Sequence, residues 1–229
     1  MKIGGLQRVS LIDYPGKISA TVFTQGCNFA CPYCHNPELV DPALSGACLP
    51  EAEIFSYLEK RRGKLQAVTI TGGEPTIQSD LALFIGRVRA MGYLVKLDTN
   101  GSQPATLKEL IAAKLLDYIA MDIKAPLHKY AAITRAPARK AAIRQSIKMI
   151  KAAGIPYEFR TTVVKSQLSR DDILEIGRLI SPAPCYALQR FIPSKPLDRE
   201  FLSQTTLAPE EFAAVKIILE ENIKKVIVR

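Results

Sequence analysis

The segment Ile18–Leu39, with the sequence ISATVFTQGCNFACPYCHNPEL, joins a β-strand pattern to a cluster of cysteines. Its first seven residues are mostly β-branched or aromatic, which predicts a short buried strand. Three of the chain's five cysteines follow at once, at Cys27, Cys31 and Cys34. Thiolates at this spacing can reach one compact metal centre, and such ligands select zinc, copper(I) or iron–sulfur clusters. The segment therefore predicts a strand that ends in a metal-binding loop.

The thiols alone leave the identity of the metal open. A structural zinc site needs a fourth ligand, for which Cys48 or His128 is a candidate, whereas His35 is poorly placed beside Cys34. A 4Fe–4S cluster held by three cysteines leaves one iron free to bind a small molecule, and an irregular loop suits it. Cys185 opens a distant strand, where we expect a buried apolar thiol. Iron–sulfur is the favoured interpretation, with zinc and a metal-free loop as alternatives.

Composition predicts a single compact domain over residues 1–229. The chain is 48% hydrophobic and 23% charged, which allows a substantial core and indicates no disordered tract. No secretory signal or membrane-length apolar segment is visible, and five cysteines are too few for a disulfide framework, so we expect a cytoplasmic protein that does not enter a membrane. The net charge of +9 favours acidic partners. Its basic residues carry no nucleic-acid motif, so we interpret them as a solvated surface and expect no direct nucleic-acid binding.

Strand and helix patterns alternate along the chain. Six strand patterns begin at Ile18, Ala67, Leu94, Tyr118, Tyr157 and Cys185, and a short seventh, KVIVR, ends at Arg229. Helical patterns lie between them and begin near Pro50, Ser79, Pro104, Arg139, Ser169 and Ala208. This alternation predicts an α/β fold with parallel strands, either an open doubly wound sheet or a partial barrel.

Polar motifs follow the predicted strands. They are the cysteine loop, TGGEPT, DTNG, DIK, RTT and QRFIPS. In parallel sheets and barrels the functional residues gather at the carboxyl ends of the strands. We therefore expect all six strand ends to face one cavity.

The motifs GCNFACPYCHNPEL, TGGEP and DTNG, in this order, closely resemble the radical S-adenosylmethionine (SAM) superfamily. The segment SLIDYPGKISATVFTQGCN further resembles the branch of anaerobic ribonucleoside-triphosphate reductase activating proteins, relatives of pyruvate formate-lyase activating enzyme. The resemblance covers essentially the whole chain. It implies a partial (β/α)6 TIM-like barrel, formed by a single radical SAM domain with a short N-terminal extension and a C-terminal strand.

The resemblance implies that Cys27, Cys31 and Cys34 bind a 4Fe–4S cluster whose unique iron is chelated by SAM. It also implies that Gly72, Gly73 and Glu74 meet the methionine amino group, since glycines allow close backbone approach and a carboxylate suits an amine. Without the cysteine loop, this motif reads equally well as a glycine-rich turn.

Neighbouring strand ends carry Asp98, Thr99 and Asn100, followed by Asp122 and Lys124. In the family, the aspartates that match Asp98 and Asp122 help to hold a monovalent cation beside SAM. Lys124 can pair electrostatically with the SAM carboxylate. The alternative is an Asp–Lys surface pair of little energetic value.

Four further residues are candidate cofactor contacts. The resemblance places Asn36 near SAM and Tyr33 at the border of its adenine. Arg160 contacts SAM or substrate, or else forms a structural ion pair. Phe191 covers the adenine or belongs to the core. We assign no catalytic base, because homolytic chemistry needs none.

The reaction implied by the resemblance begins with an electron from a flavodoxin-type or ferredoxin-type donor. Cleavage of SAM then gives methionine and a 5'-deoxyadenosyl radical, which abstracts a glycine Cα hydrogen from a partner glycyl radical enzyme, here anaerobic ribonucleotide reductase. QRFIPS lacks the histidine found in pyruvate formate-lyase activators, which leaves the adenine contacts and the partner open. The alternatives are a radical SAM enzyme acting on a small molecule or another macromolecule, and a non-enzymatic iron–sulfur electron carrier or binding module.

Overall fold

The computed structural model describes residues 1–137 and 139–229, and in this part of the chain eight strands form one sheet. The strands are β1 (Ile3–Ser10), β2 (Ser19–Thr24), β3 (Ala67–Gly72), β4 (Leu94–Thr99), β5 (Tyr118–Asp122), β6 (Tyr157–Val163), β7 (Tyr186–Arg190) and β8 (Val226–Val228). They are arranged in chain order, with β1 and β8 at the two edges. β1 is antiparallel to β2, and every later pair is parallel.

Helices connect the parallel strands. They are α1 (Glu51–Lys60), α2 (Leu81–Ala90), α3 (Pro104–Ala112), α4 (Tyr130–Thr134), α5 (Lys140–Ala152), α6 (Arg170–Ile180) and α7 (Pro209–Leu219). Within the described residues, no helix has both the length and the apolar character needed to cross a bilayer. The predicted α/β class with a parallel sheet is confirmed, and the two edge strands are consistent with an open, partial barrel.

The predicted strands correspond to β2–β8, with ends that differ by at most two residues. The capping box predicted for α6 is also present, because the Ser169 hydroxyl accepts from Asp172 N and the Asp172 carboxylate accepts from Ser169 N. The N-terminal extension differs from expectation, since residues 3–10 form β1 and cover the outer edge of β2.

The two faces of the sheet differ in chemistry. Residues paired across parallel strands point the same way, so the register sorts them by face. Ile70, Leu97 and Ile119 lie in one register row, are fully buried and form part of the apolar core under the helices. The opposite face carries polar rows such as Thr69 with Lys96. The sheet therefore has an apolar side for packing and a polar inner side that leads to the site.

Candidate functional site

A cavity of about 90 Å³ lies at the carboxyl ends of β2–β5. Its lining comprises Cys27, Phe29, Cys31, Tyr33, Cys34, Val40, Thr71, Gly72, Gly73, Glu74, Asp98, Thr99, Asn100, Asp122 and Lys124. All but three of the candidate residues from the sequence therefore converge here, and the exceptions are Asn36, Arg160 and Phe191. Phe29 and Val40 were not foreseen, although an aromatic residue between two cysteines was a signal for the first.

The cysteine loop is held in place by main-chain hydrogen bonds to distant segments. Ala30 N donates to the carbonyl of Thr134 at the end of α4 (2.9 Å), and Leu197 N donates to the carbonyl of Cys34 (3.0 Å). The loop is thus fixed from two sides by residues far along the chain. Cys27, Cys31 and Cys34 line the cavity on this loop.

Burial governs the ionisation of the three thiols. It raises the pKa of Cys27 to about 12, where Glu74 adds to the effect, and the pKa of Cys31 to about 11, against the opposing field of Lys124. The pKa of Cys34 is raised for the same reason. Thiolates in this cavity therefore need a positively charged partner.

The other two cysteines and the two histidines lie away from the cavity. The exposed Cys48 Sγ donates to Gln25 Oε1 at 2.6 Å. His128 is on the surface beside Glu175, with 3.3 Å between Nδ1 and Oε1. His35 Nε2 donates to the Ile192 carbonyl at 2.9 Å. The fourth zinc ligand considered for Cys48 or His128 is therefore not assembled in the described residues.

The glycines of the TGGEP motif are required by close main-chain approach. A Cβ at Gly72 would lie 2.4 Å from Thr24 N, and a Cβ at Gly73 would lie 2.0 Å from the Gly26 carbonyl oxygen. Gly72 also has a φ of +113°, in the region that favours glycine. Glu74 N donates to the same Gly26 carbonyl (2.8 Å). The motif therefore fastens the end of β3 to the start of the cysteine loop.

Glu74 is a buried carboxylate with many donors. Its Oε1 accepts from Thr76 N (3.0 Å), the Thr76 hydroxyl and the Thr99 hydroxyl (2.7 Å). Its Oε2 accepts from Asn100 N at 2.6 Å. Burial raises the pKa of this carboxyl although these donors oppose the effect. Because Oε2 accepts a hydrogen bond from Asn100 N alone among the described residues, it can accept another one.

Asp98 and Asp122 belong to a network of charges on the inner face of the sheet. Arg160 donates from Nη1 to Asp98 Oδ2 (3.0 Å) and from Nε to Asp122 Oδ1 (2.8 Å). Lys96 Nζ contacts Asp98 at 2.5 Å, and Lys124 Nζ contacts Asp122 at 3.1 Å. Three cationic side chains thus pair with two aspartates, so the five residues together carry a net charge of +1. The alternative of an isolated Asp–Lys surface pair is wrong for these residues.

The network shifts the pKa of Asp98, Asp122 and Lys124 in directions set by their partners. Burial alone would raise the pKa of Asp98 and of Asp122, but the Arg160 guanidinium and a neighbouring lysine outweigh it and lower both. Burial would lower the pKa of Lys124, yet Asp122 holds it well above its ordinary value. Asp98, Asp122 and Lys124 are therefore charged near neutral pH. The cation expected beside the two aspartates stays a prediction.

Three further candidates are Asn36 and Phe191, which do not line the cavity, and Tyr33, which does. Asn36 precedes the short 3-10 turn Pro37–Leu39, where its carbonyl accepts from Leu39 N (3.0 Å). Phe191 is buried in the core and stacks on His35 with 5.3 Å between ring centroids, and its contact with the adenine stays a prediction. Tyr33 lines the cavity, with a buried hydroxyl that has no hydrogen-bond partner.

Asn100 connects the end of β4 to the cysteine loop. Its Nδ2 donates to Asn28 Oδ1 at 3.0 Å, and Asn28 Nδ2 donates to the Ser102 hydroxyl at 2.7 Å. The DTNG motif thus has a positional role in addition to lining the cavity. Together with Gly73 and Glu74, it holds three strand ends around the thiols.

Comparison with known proteins agrees with this arrangement. The Radical SAM superfamily model matches residues 21–180. A Methanocaldococcus jannaschii protein whose name assigns it to the glycyl-radical enzyme activating enzymes is 34% identical over 232 residues, which is 99% of this chain and 95% of that protein. The pyruvate formate-lyase-activating enzyme of Clostridium pasteurianum is 30% identical over 131 residues, covering 54% of this chain and 52% of its own length.

Solved structures agree with the fold. A domain of pyruvate-formate lyase-activating enzyme from Bacteroides vulgatus superposes with a TM-score of 0.58 and 17% identity, over 72% of this chain and 99% of that domain. At that identity the likeness concerns the fold alone. The family model covers the strands and loops that build the cavity, and the M. jannaschii relative matches nearly the whole chain. The chain therefore belongs to the Radical SAM superfamily, whose members are enzymes that use a 4Fe–4S cluster and SAM.

Proposed function

We propose that this protein activates a glycyl radical enzyme, with anaerobic ribonucleotide reductase as its partner. The observation that carries the activator assignment is the 34% identity, over nearly the full length of both chains, to a relative named for that activity. The choice of partner rests on the segment from Ser10 to Asn28, which resembles the activators of that reductase. The protein would take its electron from a flavodoxin-type or ferredoxin-type donor.

The cysteine loop fits a 4Fe–4S cluster. Cys27, Cys31 and Cys34 line one cavity, yet no three His, Cys, Asp or Glu side chains of the described residues converge on a single-ion site. A cluster reconciles these facts, because each thiolate binds a different iron. The cationic cluster would also offset the cost of ionising thiols whose pKa burial has raised. These three residues would hold the cluster and leave one iron open for SAM.

The cavity wall supports binding of the polar part of SAM. Glu74 Oε2 has room for a donor such as the methionine amino group. Lys124 reaches the cavity beside Asp122, and the net positive charge of the network that contains them favours a carboxylate. Amine and carboxylate would thus meet groups of opposite charge on neighbouring strand ends.

A cluster held by Cys27, Cys31 and Cys34 would supply the electron for reductive cleavage of SAM to methionine and a 5'-deoxyadenosyl radical. Hydrogen abstraction from the partner's glycine Cα would then give 5'-deoxyadenosine and a glycyl radical. The chain's own residues position the reactants. The tethered loops hold SAM at a fixed place, and the partial barrel limits the access of water.

The test uses anaerobically reconstituted protein with SAM, dithionite and anaerobic ribonucleotide reductase. We expect a glycyl doublet in electron paramagnetic resonance and one 5'-deoxyadenosine for each radical formed. The doublet should be absent with Cys31→Ala and retained with Cys48→Ala, the matched variant outside the cavity. Formation of 5'-deoxyadenosine with no protein radical on this partner or on pyruvate formate-lyase would contradict the activator role and favour a small-molecule substrate.

A further inference from the structure

The two aspartates expected to hold a monovalent cation already have cationic partners within the chain. Asp98 accepts from Lys96 Nζ at Oδ1 (2.5 Å) and from Arg160 Nη1 at Oδ2 (3.0 Å). Asp122 accepts from Arg160 Nε at Oδ1 (2.8 Å) and from Lys124 Nζ at Oδ2 (3.1 Å). Each of the four carboxylate oxygens therefore contacts an ammonium or guanidinium group.

Lys96 and Arg160 reach these carboxylates from the interior of the partial barrel. The cavity is lined by Asp98, Asp122 and Lys124, but not by Lys96 or Arg160. Lys96 is buried and lies two residues before Asp98, on the same face of β4. Arg160 is paired with Asp122 in the register of β5 and β6. The two cationic side chains are thus fixed parts of the wall behind the carboxylates.

A third carboxylate on the same face of the sheet also has its own partner. Glu158 lies two residues before Arg160 on β6, so the two side chains share one face. Its Oε2 accepts from Arg229 Nη2 at 2.9 Å. This ion pair adds no net charge, and it engages a carboxylate that a bound cation would otherwise attract.

Charge, rather than space, decides which ion can bind beside the two aspartates. Each carboxylate oxygen retains a second lone pair, so pairing with a side chain does not by itself exclude a metal ion. Three cationic side chains against two aspartates nevertheless leave a net charge of +1, in a place largely shielded from water. A monovalent cation would add a second unmatched positive charge, whereas a carboxylate would neutralise the first. The network is therefore suited to an anion and ill suited to a further cation.

We propose that Lys96 and Arg160 take the place of the monovalent cation that the family resemblance implies, so that SAM binds here without Na⁺ or K⁺. The inference rests on the SAM binding of the proposed function. The SAM carboxylate would neutralise the unmatched charge of the network, and Lys124 is the cationic member that lines the cavity. Lys96 and Arg160 are positioning residues, which act through the aspartates that they hold.

The test measures SAM binding to the anaerobically reconstituted protein at constant ionic strength, with tetramethylammonium as the reference cation. For the wild type, replacement of tetramethylammonium by Na⁺ or K⁺ should change the SAM dissociation constant by less than about twofold. A larger, saturable gain in affinity with either ion would overturn the proposal.

Lys96→Met should create the cation dependence that the wild type lacks. The substitution frees Asp98 Oδ1 and removes the unmatched positive charge, so a small monovalent cation is then favoured. We expect SAM to bind about tenfold more weakly in tetramethylammonium and to regain that affinity in Na⁺ or K⁺. The variant should also broaden the sodium magnetic resonance line in the presence of SAM, and the wild type should not.

Lys151→Met is the matched control, because Lys151 Nζ donates to the Ser181 carbonyl (2.6 Å) and not to a carboxylate. Its SAM affinity should be as insensitive to Na⁺ and K⁺ as that of the wild type. A Lys96→Met protein whose SAM affinity also ignored both ions would show that Lys96 does not stand in the place of a cation.

Failure of this inference and failure of the proposed function give different results. Wild-type protein that binds SAM only with added Na⁺ or K⁺ would refute the role of Lys96 and Arg160 and leave the activator role intact. Protein with a complete cluster that binds no SAM with any of the three cations would refute the proposed function itself. The wild-type measurements decide the inference even if Lys96→Met folds poorly.

Discussion

Arg160 shows how a single side chain can organise a site without lining it. Its guanidinium joins Asp98 at the end of β4 to Asp122 at the end of β5, and its side chain is only 12% exposed. Such a pair of buried carboxylates would repel each other without a shared cation. The sequence analysis left Arg160 between a SAM contact and a structural ion pair. The structure provides the ion pair, and contact with SAM stays a prediction.

We expect Arg160→Met to lower the free energy of unfolding by up to about 3–5 kcal/mol, because it leaves two partly buried carboxylates short of a partner. Urea unfolding monitored by circular dichroism would measure this loss. Arg178→Met, on the exposed side of α6, is the control and should change stability by less than about 0.5 kcal/mol. A loss of stability no larger than that of the control would mean that Lys96 and Lys124 suffice to neutralise the two aspartates.

The difference in free energy of unfolding between wild type and Arg160→Met should depend on pH in a definite direction. The folded-state pKa of Asp98 and of Asp122 lies below the ordinary value of 3.8, so their stabilisation is present above that pH and is lost as the pH falls toward the folded-state values. The gap between wild type and Arg160→Met should therefore stay constant near neutrality and narrow below about pH 4. A gap that widened in acid would contradict the assignment.

Lys96 is a residue whose burial and charge pairing could not be predicted from the sequence. A lysine inside the apolar strand LVKLDT, two residues before an aspartate, was a visible signal. Its consequence was not visible, because only the fold shows that Lys96 is 2% exposed and pairs with Asp98. Cysteine spacing and terminal motifs were readable because they are local. The pairing of Asp98 with Arg160 on β6, in contrast, joins different strands and depends on a register that the sequence leaves open.

At the scale of elements, the site depends on how strand ends are joined to the cysteine loop. β3 ends at Gly72, and Gly72 and Gly73 lie directly against the main chain of Thr24 and Gly26. Strand hydrogen bonding continues into the loop through Gly73 N, which donates to the Thr24 carbonyl at 2.8 Å. The loop that presents the cysteines is thereby an extension of the sheet.

Gly73→Ala should displace the cysteine loop, because the new Cβ would lie 2.0 Å from the Gly26 carbonyl oxygen. We expect a loss of about 1–3 kcal/mol in the free energy of unfolding, typical of overpacking, together with lower iron incorporation. Gly86→Ala in α2 is the matched control, since its Cβ would meet nothing within 4 Å and helix propensity should add about 0.5–1 kcal/mol. Full iron content in Gly73→Ala would show that the loop can move without losing the site.

The elements that sequence analysis missed are those with weak local signals. β1 has the sequence IGGLQRVS, whose paired glycines and polar residues hide its strand character until it pairs with β2. α4 is five residues long, too short for periodicity to reveal. β2–β8 and the longer helices were predictable, because β-branched runs, capping residues and terminal glycines mark them locally. β1 and α4 became visible only in the folded structure.

At the scale of the whole molecule, the two ends of the barrel have different tasks. The carboxyl ends of β2–β5 carry the cavity, whereas the segment 11–17 folds against the amino ends. Tyr14 is buried there with its ring 5.8 Å from that of Tyr118, and Asp13 accepts from the Thr21 hydroxyl at 2.7 Å. This division predicts that stability and site chemistry can be perturbed separately.

Tyr14→Ala tests that separation. Removal of a buried aromatic side chain at the amino end should cost about 3–5 kcal/mol in the free energy of unfolding. The cluster content of the folded fraction and its rate of SAM cleavage should stay at the wild-type level, because the cavity lies at the opposite ends of the strands. Urea unfolding, iron analysis and 5'-deoxyadenosine formation measured on the same preparation would report both properties.

The matched control for Tyr14→Ala is Tyr57→Ala in α1, whose more exposed hydroxyl donates to the Arg8 carbonyl. It should cost less stability, because less apolar surface returns to water. If Tyr14→Ala lost its cluster along with its stability while Tyr57→Ala kept both, the amino end would be coupled to the site. The polar inner face of the sheet would then be the first region to probe for that coupling, because the register places Thr21 beside Thr69 and Thr69 beside Lys96 on this face.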